Sequence, residues 1–122
     1  MQNMAAQAYG RTAIRTASPR EVEAQLLLKA AAKLEAVRTG TLDRQVARDA
    51  ITYNRKLWTV FAQAITRPEN PLPDEIKENI GNLAIFILGQ SVEAFSDPDA
   101  DKLAPLVSIN REIAAGLTGN AA

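Results

Sequence analysis

Cysteine and histidine are both absent from this sequence. That removes disulfides, thiol nucleophiles, Cys/His zinc sites and histidine base chemistry, because none of these has its required atoms. A cysteine-free chain also suits a reducing compartment. Aromatic residues and glycines are scarce, six of each in 122 residues, and long Ala/Leu/Glu/Arg stretches favour helix over sheet. No apolar run approaches the roughly 18 residues of a membrane span. The N-terminus lacks the compact apolar region of a signal peptide, and no glycine-rich phosphate loop occurs. These absences lead us to expect a cytoplasmic protein with no membrane insertion, no cofactor or metal, and no enzymatic activity.

Charge of one sign is also missing overall, with 14 basic and 14 acidic residues. The chain as a whole therefore has no electrostatic claim on nucleic acid. The distribution is less even. Residues 1–20 carry Arg11, Arg15 and Arg20 without an acid, whereas 67–101 carry eight acids against Arg67 and Lys77.

What is present reads as an all-α, compact four-helix-bundle-like domain over residues 18–119, preceded by a flexible arm over 1–17 whose sizeable anchors are Tyr9 and Ile14. Ser18-Pro19-Arg20-Glu21 is a helix start: the serine can cap, proline tolerates the first helical position, and the glutamate can reach back. The first helix runs to about Thr39, with Gly40 expected as a left-handed cap. Its apolar face reads Val22, Leu26, Ala30, Leu34 and Val37, with Leu27 at the edge. A second helix from Thr41 or Leu42 to Ile65 stops before Pro68. Its face holds Ala47, Ala50, Ile51, Leu57, Trp58, Phe61 and Ile65, widened by Val46 and Tyr53. Asn54 interrupts that face and must find hydrogen-bond partners, expected to be backbone groups at a loop or helix end.

The proline-rich loop Arg67–Pro73 leads to a third helix with Asp74 and Glu75 in its first turn, where negative charge complements the helix dipole. Its core face reads Ile76, Ile80, Leu83, Ala84, Ile87, Ser91 and Phe95, flanked by Leu88. After the turn Asp97-Pro98-Asp99-Ala100-Asp101, a last helix from about Lys102 to Leu117 presents Leu103, Leu106, Val107, Asn110, Ile113, Ala114 and Leu117. Pro105 is placed in its first turn, where proline is tolerated, and Asn110 is a second amide on an apolar face.

Few constellations carry chemistry. Asp74, Glu75 and Glu78 sit at capping positions and Asp97, Asp99 and Asp101 in a turn, so a catalytic carboxylate pair is not expected. The Asp97 triplet also lacks the glycine and distal glutamate of a calcium loop. Arg44, Arg48, Arg55 and Lys56 form a basic face on the second helix that could follow phosphates. No aromatic side chain interleaves them to stack bases, so direct nucleic-acid binding is the weaker alternative. What remains is surplus apolar surface off the core faces: Leu28, Val60, Ile85, Phe86 and Ile109. Gly81, Ile85 and Gly89 make a column at spacing four. Each interior glycine costs a helix about 1 kcal/mol against alanine, so the column points to a closely packed neighbour, either a helix of the same chain or a partner.

Tyr9, the SPRE start with Glu23 and Leu27, Asn54-Arg55-Lys56-Leu57-Trp58, Glu69-Asn70-Pro71-Leu72-Pro73, and Ile109-Asn110 with Ile113 and Gly116-Leu117 together resemble the flagellar biosynthesis regulator FlaF family. Phe86 stands where many relatives carry tryptophan. The resemblance implies a small cytoplasmic protein that regulates flagellin synthesis and serves as a flagellin-binding secretion chaperone. Its implied partners are flagellin, an FlbT-like translation regulator and the flagellar export apparatus, and it implies no catalytic residue. The expected binding mode is an amphipathic flagellin helix on an apolar surface that includes Leu28, Val60, Gly81, Ile85, Phe86, Gly89 and Ile109. The rival from another class is an RNA-binding regulator of flagellin messages acting with FlbT. An oligomeric scaffold is the third reading.

Overall fold

A computed structural model of the chain describes residues 18–40 and 43–119. The expected arm over 1–17 and the first two residues expected of the second helix lie outside the described residues. Four helices follow in order: α1 Pro19–Thr39, α2 Arg44–Ala64, α3 Asp74–Ser96 and α4 Ala100–Leu117. Each packs on its neighbours in sequence, and α4 closes the ring against α1. Neighbouring helices run antiparallel. Arg48 of α2 meets the Phe95 end of α3 while Ile65, just beyond α2, lies beside Gly81. Arg20 at the start of α1 shares a groove with Ile113 and Leu117 at the end of α4, and Glu35 and Arg38 near the end of α1 lie beside Ala104 and Val107 near the start of α4. The result is an up-and-down four-helix bundle.

Local chemistry explains the element ends. Ser18 accepts a hydrogen bond from the Glu21 amide at 3.2 Å, with Pro19 at the first helical position. Gly40 is needed for a different reason than a left-handed cap. Its backbone is extended, with φ −98° and ψ −157°, and a Cβ there would lie 2.8 Å from the Ala36 carbonyl oxygen. Asp43 caps α2 by accepting from the Val46 amide, and Asp99 caps α4 through the Lys102 amide. Asn70 clamps the loop after α2: its amide nitrogen donates to the Ala64 carbonyl and its oxygen accepts from the Leu72 amide. Leu72 is thereby held in the core. Pro105 is not in the first turn, since α4 begins at Ala100. It lies one turn further in, where it cannot donate to the Asp101 carbonyl. Gln90 of α3 donates to the adjacent Lys102 carbonyl at 3.0 Å, tying α3 to this turn.

The core faces differ from the expected ones in their rotation. On α1 the buried side is Ala24, Leu27, Ala30, Ala31, Leu34 and Val37, with Leu27 at its centre and Leu26 exposed. Alanines occupy the inward positions because α1 and α4 pack along most of their length, and small side chains permit a close approach of the axes. On α2, Val46 is exposed and Leu57 and Ile65 are half-buried, while Asn54, Trp58 and Phe61 point inward. Trp58 and Phe61 meet edge to face with ring centroids 5.7 Å apart. On α3, Ile76 and Phe95 are exposed and Ala94 is buried instead. Ser91 satisfies its buried hydroxyl by donating to the Ile87 carbonyl at 2.6 Å.

Asn54 does not bond a loop or helix end. Its oxygen accepts from the Asn110 amide at 2.6 Å, and Asn110 also donates to the Leu27 carbonyl at 3.3 Å. The Asn110 oxygen accepts from the Trp58 indole N–H at 2.9 Å. One buried amide thus joins α1, α2 and α4. The Asn54 amide nitrogen has no partner among the described residues. The two asparagines should therefore differ in cost. Asn110→Leu strands the Trp58 donor and the Asn54 oxygen and is expected to lose about 2–4 kcal/mol. Asn54→Leu strands one Asn110 N–H but also removes an amide nitrogen that is already unpaired, and is expected to lose less, about 1 kcal/mol. Urea unfolding of the two variants measures the difference, and equal losses would contradict it.

Candidate functional site

α3 carries two stripes. The inward one is Ile80, Ala84, Ile87, Ser91 and Ala94. The second follows Gly81, Ile85, Leu88, Val92 and Phe95, which at 100° per residue fall within about 80° of arc. Ile85 is 75% exposed, Val92 63% and Phe95 43%, while Leu88 is half-buried. Among the described residues, the column of Gly81, Ile85 and Gly89 is not packed under another helix. A Cβ on Gly89 would meet nothing within 4 Å, and one on Gly81 would stand 3.7 Å from Ile65 Cδ1, an ordinary contact.

Charges border this stripe on both sides. Arg48, Thr52, Arg55 and Thr59 recur along α2 at spacings of four, three and four, so they form one ridge. Arg48 places that ridge next to α3: its guanidinium lies 5.4 Å from the Phe95 ring centroid and its Nε donates to the Phe95 carbonyl at 3.0 Å. No acid lies on the ridge; Asp49 falls on the side of α2 that faces α1, where it lines a groove with Lys33 and Val37. On the other side of the stripe, Glu75, Glu78 and Glu93 occupy the outer edge of α3 and are exposed. The outer face of α2 and α3 is thus basic, apolar and acidic in turn.

The seven residues expected to bind a partner do not share one face. Gly81 and Ile85 lie on the stripe, Gly81 on the side toward α2, and Gly89 stands one turn beyond Ile85 at its outer border. Phe86, 46% exposed, is turned toward α4. Ile109 is on the α3 side of α4 and is half-buried against the core. Val60 continues the Val46–Tyr53 column at spacing seven, and that column borders α1. Leu28 stands seven residues before Glu35 and so shares the side of α1 that faces Arg111 of α4. Val92, seven residues from Ile85, shares the stripe, and Phe95, expected on the core face, is exposed on it.

The surface also carries open grooves, two of them as follows. One of about 400 Å³ lies between α1 and α2, where the Lys29 and Lys33 ammonium groups stand 5.8 and 5.2 Å from the Tyr53 ring centroid. The other, of about 370 Å³, lies at one end of the bundle between Arg20, Leu72, Ile76, Leu83, Ile113 and Leu117. The titratable groups with shifted pKa values serve structural contacts. Hydrogen bonding from Arg38 lowers the Glu35 carboxyl, and burial raises Glu23 against the pull of Arg20. Asp97 bonds Lys102 and lies 4.0 Å from Arg44. Among the described residues, no three acids gather in a way that could hold a metal ion.

A family model described as flagellar protein FlaF matches residues 5–117. The chain belongs to the FlaF family. The matched span includes all four helices, ends with the last residue of α4 and contains the whole exposed stripe. No curated protein and no solved structure matches the chain. Membership connects this bundle to the flagellum, and no helix among the described residues is long and apolar enough to cross a membrane. Gly89, at the border of the stripe, is informative because nothing among the described residues requires a glycine there. Gly89→Ala is expected to raise stability by about 0.5–1 kcal/mol, read from urea or thermal unfolding. A loss of stability would mean that the chain's own packing needs the glycine.

Proposed function

We propose that this FlaF-family protein is a cytoplasmic flagellin-binding secretion chaperone that also takes part in regulating flagellin synthesis. The observation that carries the reading is the uncovered stripe of Ile85, Leu88, Val92 and Phe95. Burying a side chain such as Ile85 or Val92 gains about 1.5–3 kcal/mol, and leaving several in water forgoes that gain without a fold-level reason. A client helix laid along α3 would cover them, with Gly89 leaving room for close approach of the two backbones. Holding such a helix would shield flagellin from premature assembly and present it for export. An FlbT-like regulator would then sense whether the chaperone is free or loaded.

The RNA-binding alternative uses the α2 cations, and two of the four are already engaged. Arg44 lies 4.0 Å from Asp97, and Arg48 is bonded to the Phe95 carbonyl and stacked on its ring. That leaves Arg55 and Lys56, a small footprint for tracking phosphates.

Co-expression with the host's flagellin followed by affinity capture tests the client reading. Wild type is expected to retain flagellin, and Ile85→Ser with Val92→Ser to lose it at unchanged helicity and cooperative melting. Retention by the double variant would move the client to another face. Phe86→Asp serves as the companion variant: loss of flagellin with Phe86→Asp alone would place the client on the α3–α4 seam.

A further inference from the structure

We propose that the outer face of α2 and α3 pairs with a second copy of this chain, with the two α3 helices parallel and in register. The pairing goes beyond the client reading and concerns the client-free protein, in which the second copy covers the stripe that a client helix would take over. Two independent features support it, the side-chain types along the stripe and the charges on its flanks.

Ile85, Leu88, Val92 and Phe95 follow the alternating three- and four-residue spacing of a coiled-coil seam. If Ile85 is an a position, Val92 is the next a and Leu88 the d between them. β-branched residues at a with leucine at d favour a parallel two-stranded arrangement. Gly89, with open space around its Cα, lets the helices approach. The seam from Gly81 to Phe95 is only about 21 Å long at 1.5 Å per residue. Apolar contact over that length gives a modest dimer, so the flanking charges decide its orientation.

Those flanks are of opposite sign. A two-fold axis along the seam turns the copy so that the basic α2 ridge of one chain faces the acidic α3 edge of the other. A two-fold axis across the seam, which makes the helices antiparallel, sets base against base and acid against acid. The parallel arrangement is therefore the complementary one. Along the bundle, Arg48 is level with Phe95, and Ile65 with Gly81. Interpolating between these levels places Arg55 near Gly89, one helical turn from the level of Glu93 on the partner copy and within side-chain reach of it. Among the described residues, Arg55 and Glu93 form no ion pair within the chain.

Sedimentation equilibrium of the client-free protein over a wide concentration range tests the pairing. The mass is expected to rise from 13.2 kDa toward twice that value with concentration. Ile85→Glu with Val92→Glu should remain monomeric at unchanged helicity. Arg55→Glu and Glu93→Arg should each weaken association about tenfold, and the two together should restore it, which a merely structural role would not do. Because the chain has no cysteine, I85C reports the orientation cleanly. Under mild oxidation I85C alone should give a disulfide-linked dimer, since each Ile85 faces its own copy across a parallel seam. Linkage only in a mixture of I85C and V92C would overturn the parallel arrangement, and a monomeric mass at every concentration would overturn the pairing. A monomer that still captures flagellin would reject the pairing while leaving the client reading intact. A dimer that captures none would do the reverse.

Discussion

The fold depends on one buried amide. Asn110 donates to the Leu27 carbonyl and to Asn54 and accepts from the Trp58 indole, so a single side chain on α4 fixes its level against α1 and α2. Apolar packing alone is tolerant of small slides, because one leucine can replace another in a groove. An amide that bonds two other helices is not tolerant: a shift of α4 along its axis would leave the Trp58 donor and the Asn54 oxygen buried without partners. Around this junction, the alanines of α1 let α4 approach closely, and Leu72, held by the Asn70 clamp, plugs the core beside them.

With α1, α2 and α4 held by the junction, α3 is the helix with surface to spare. It is fastened to α2 through Arg48 and to α4 through Gln90, and its buried stripe is composed of Ile80, Ala84, Ile87, Ser91 and Ala94. Three of those five residues are alanine or serine, while larger apolar residues at 85, 92 and 95 face outward. α3 therefore keeps a second apolar stripe that the bundle does not use. A face of that kind, bounded by a basic ridge and an acidic edge, suits a protein that works by holding another helix.

The number and order of helices were legible in the sequence because caps, prolines and apolar spacing all agreed. Ser18 with Pro19 and the Asn70-Pro71-Leu72-Pro73 turn sit where their chemistry places them, whereas the last helix starts at Ala100 with Asp99 as its cap instead of at about Lys102. The rotation of α1 was not legible. Spacing drew attention to Val22 and Leu26, whereas the inward positions belong to alanines whose value appears only when α4 lies against them. The partner of Asn54 was hidden for the same reason, since it is another side chain 56 residues away. At the candidate site, Ile85 and Gly89 could be picked out as residues off the core face of one helix. Whether they shared a surface with Leu28, Val60 or Ile109 depended on how four helices are arranged around the core, which no single helix encodes.

The central claim is that the outward stripe of α3 is where flagellin is held. Methyl-resolved NMR of isoleucine-labelled protein during titration with flagellin tests it most directly, because isoleucines report from the stripe at Ile85, the core at Ile51, Ile80 and Ile87, and the α3–α4 seam at Ile109. A shift or broadening concentrated at Ile85, with the core methyls unmoved, is the expected result. An unchanged Ile85 methyl while Ile109 or the core responds would contradict the account.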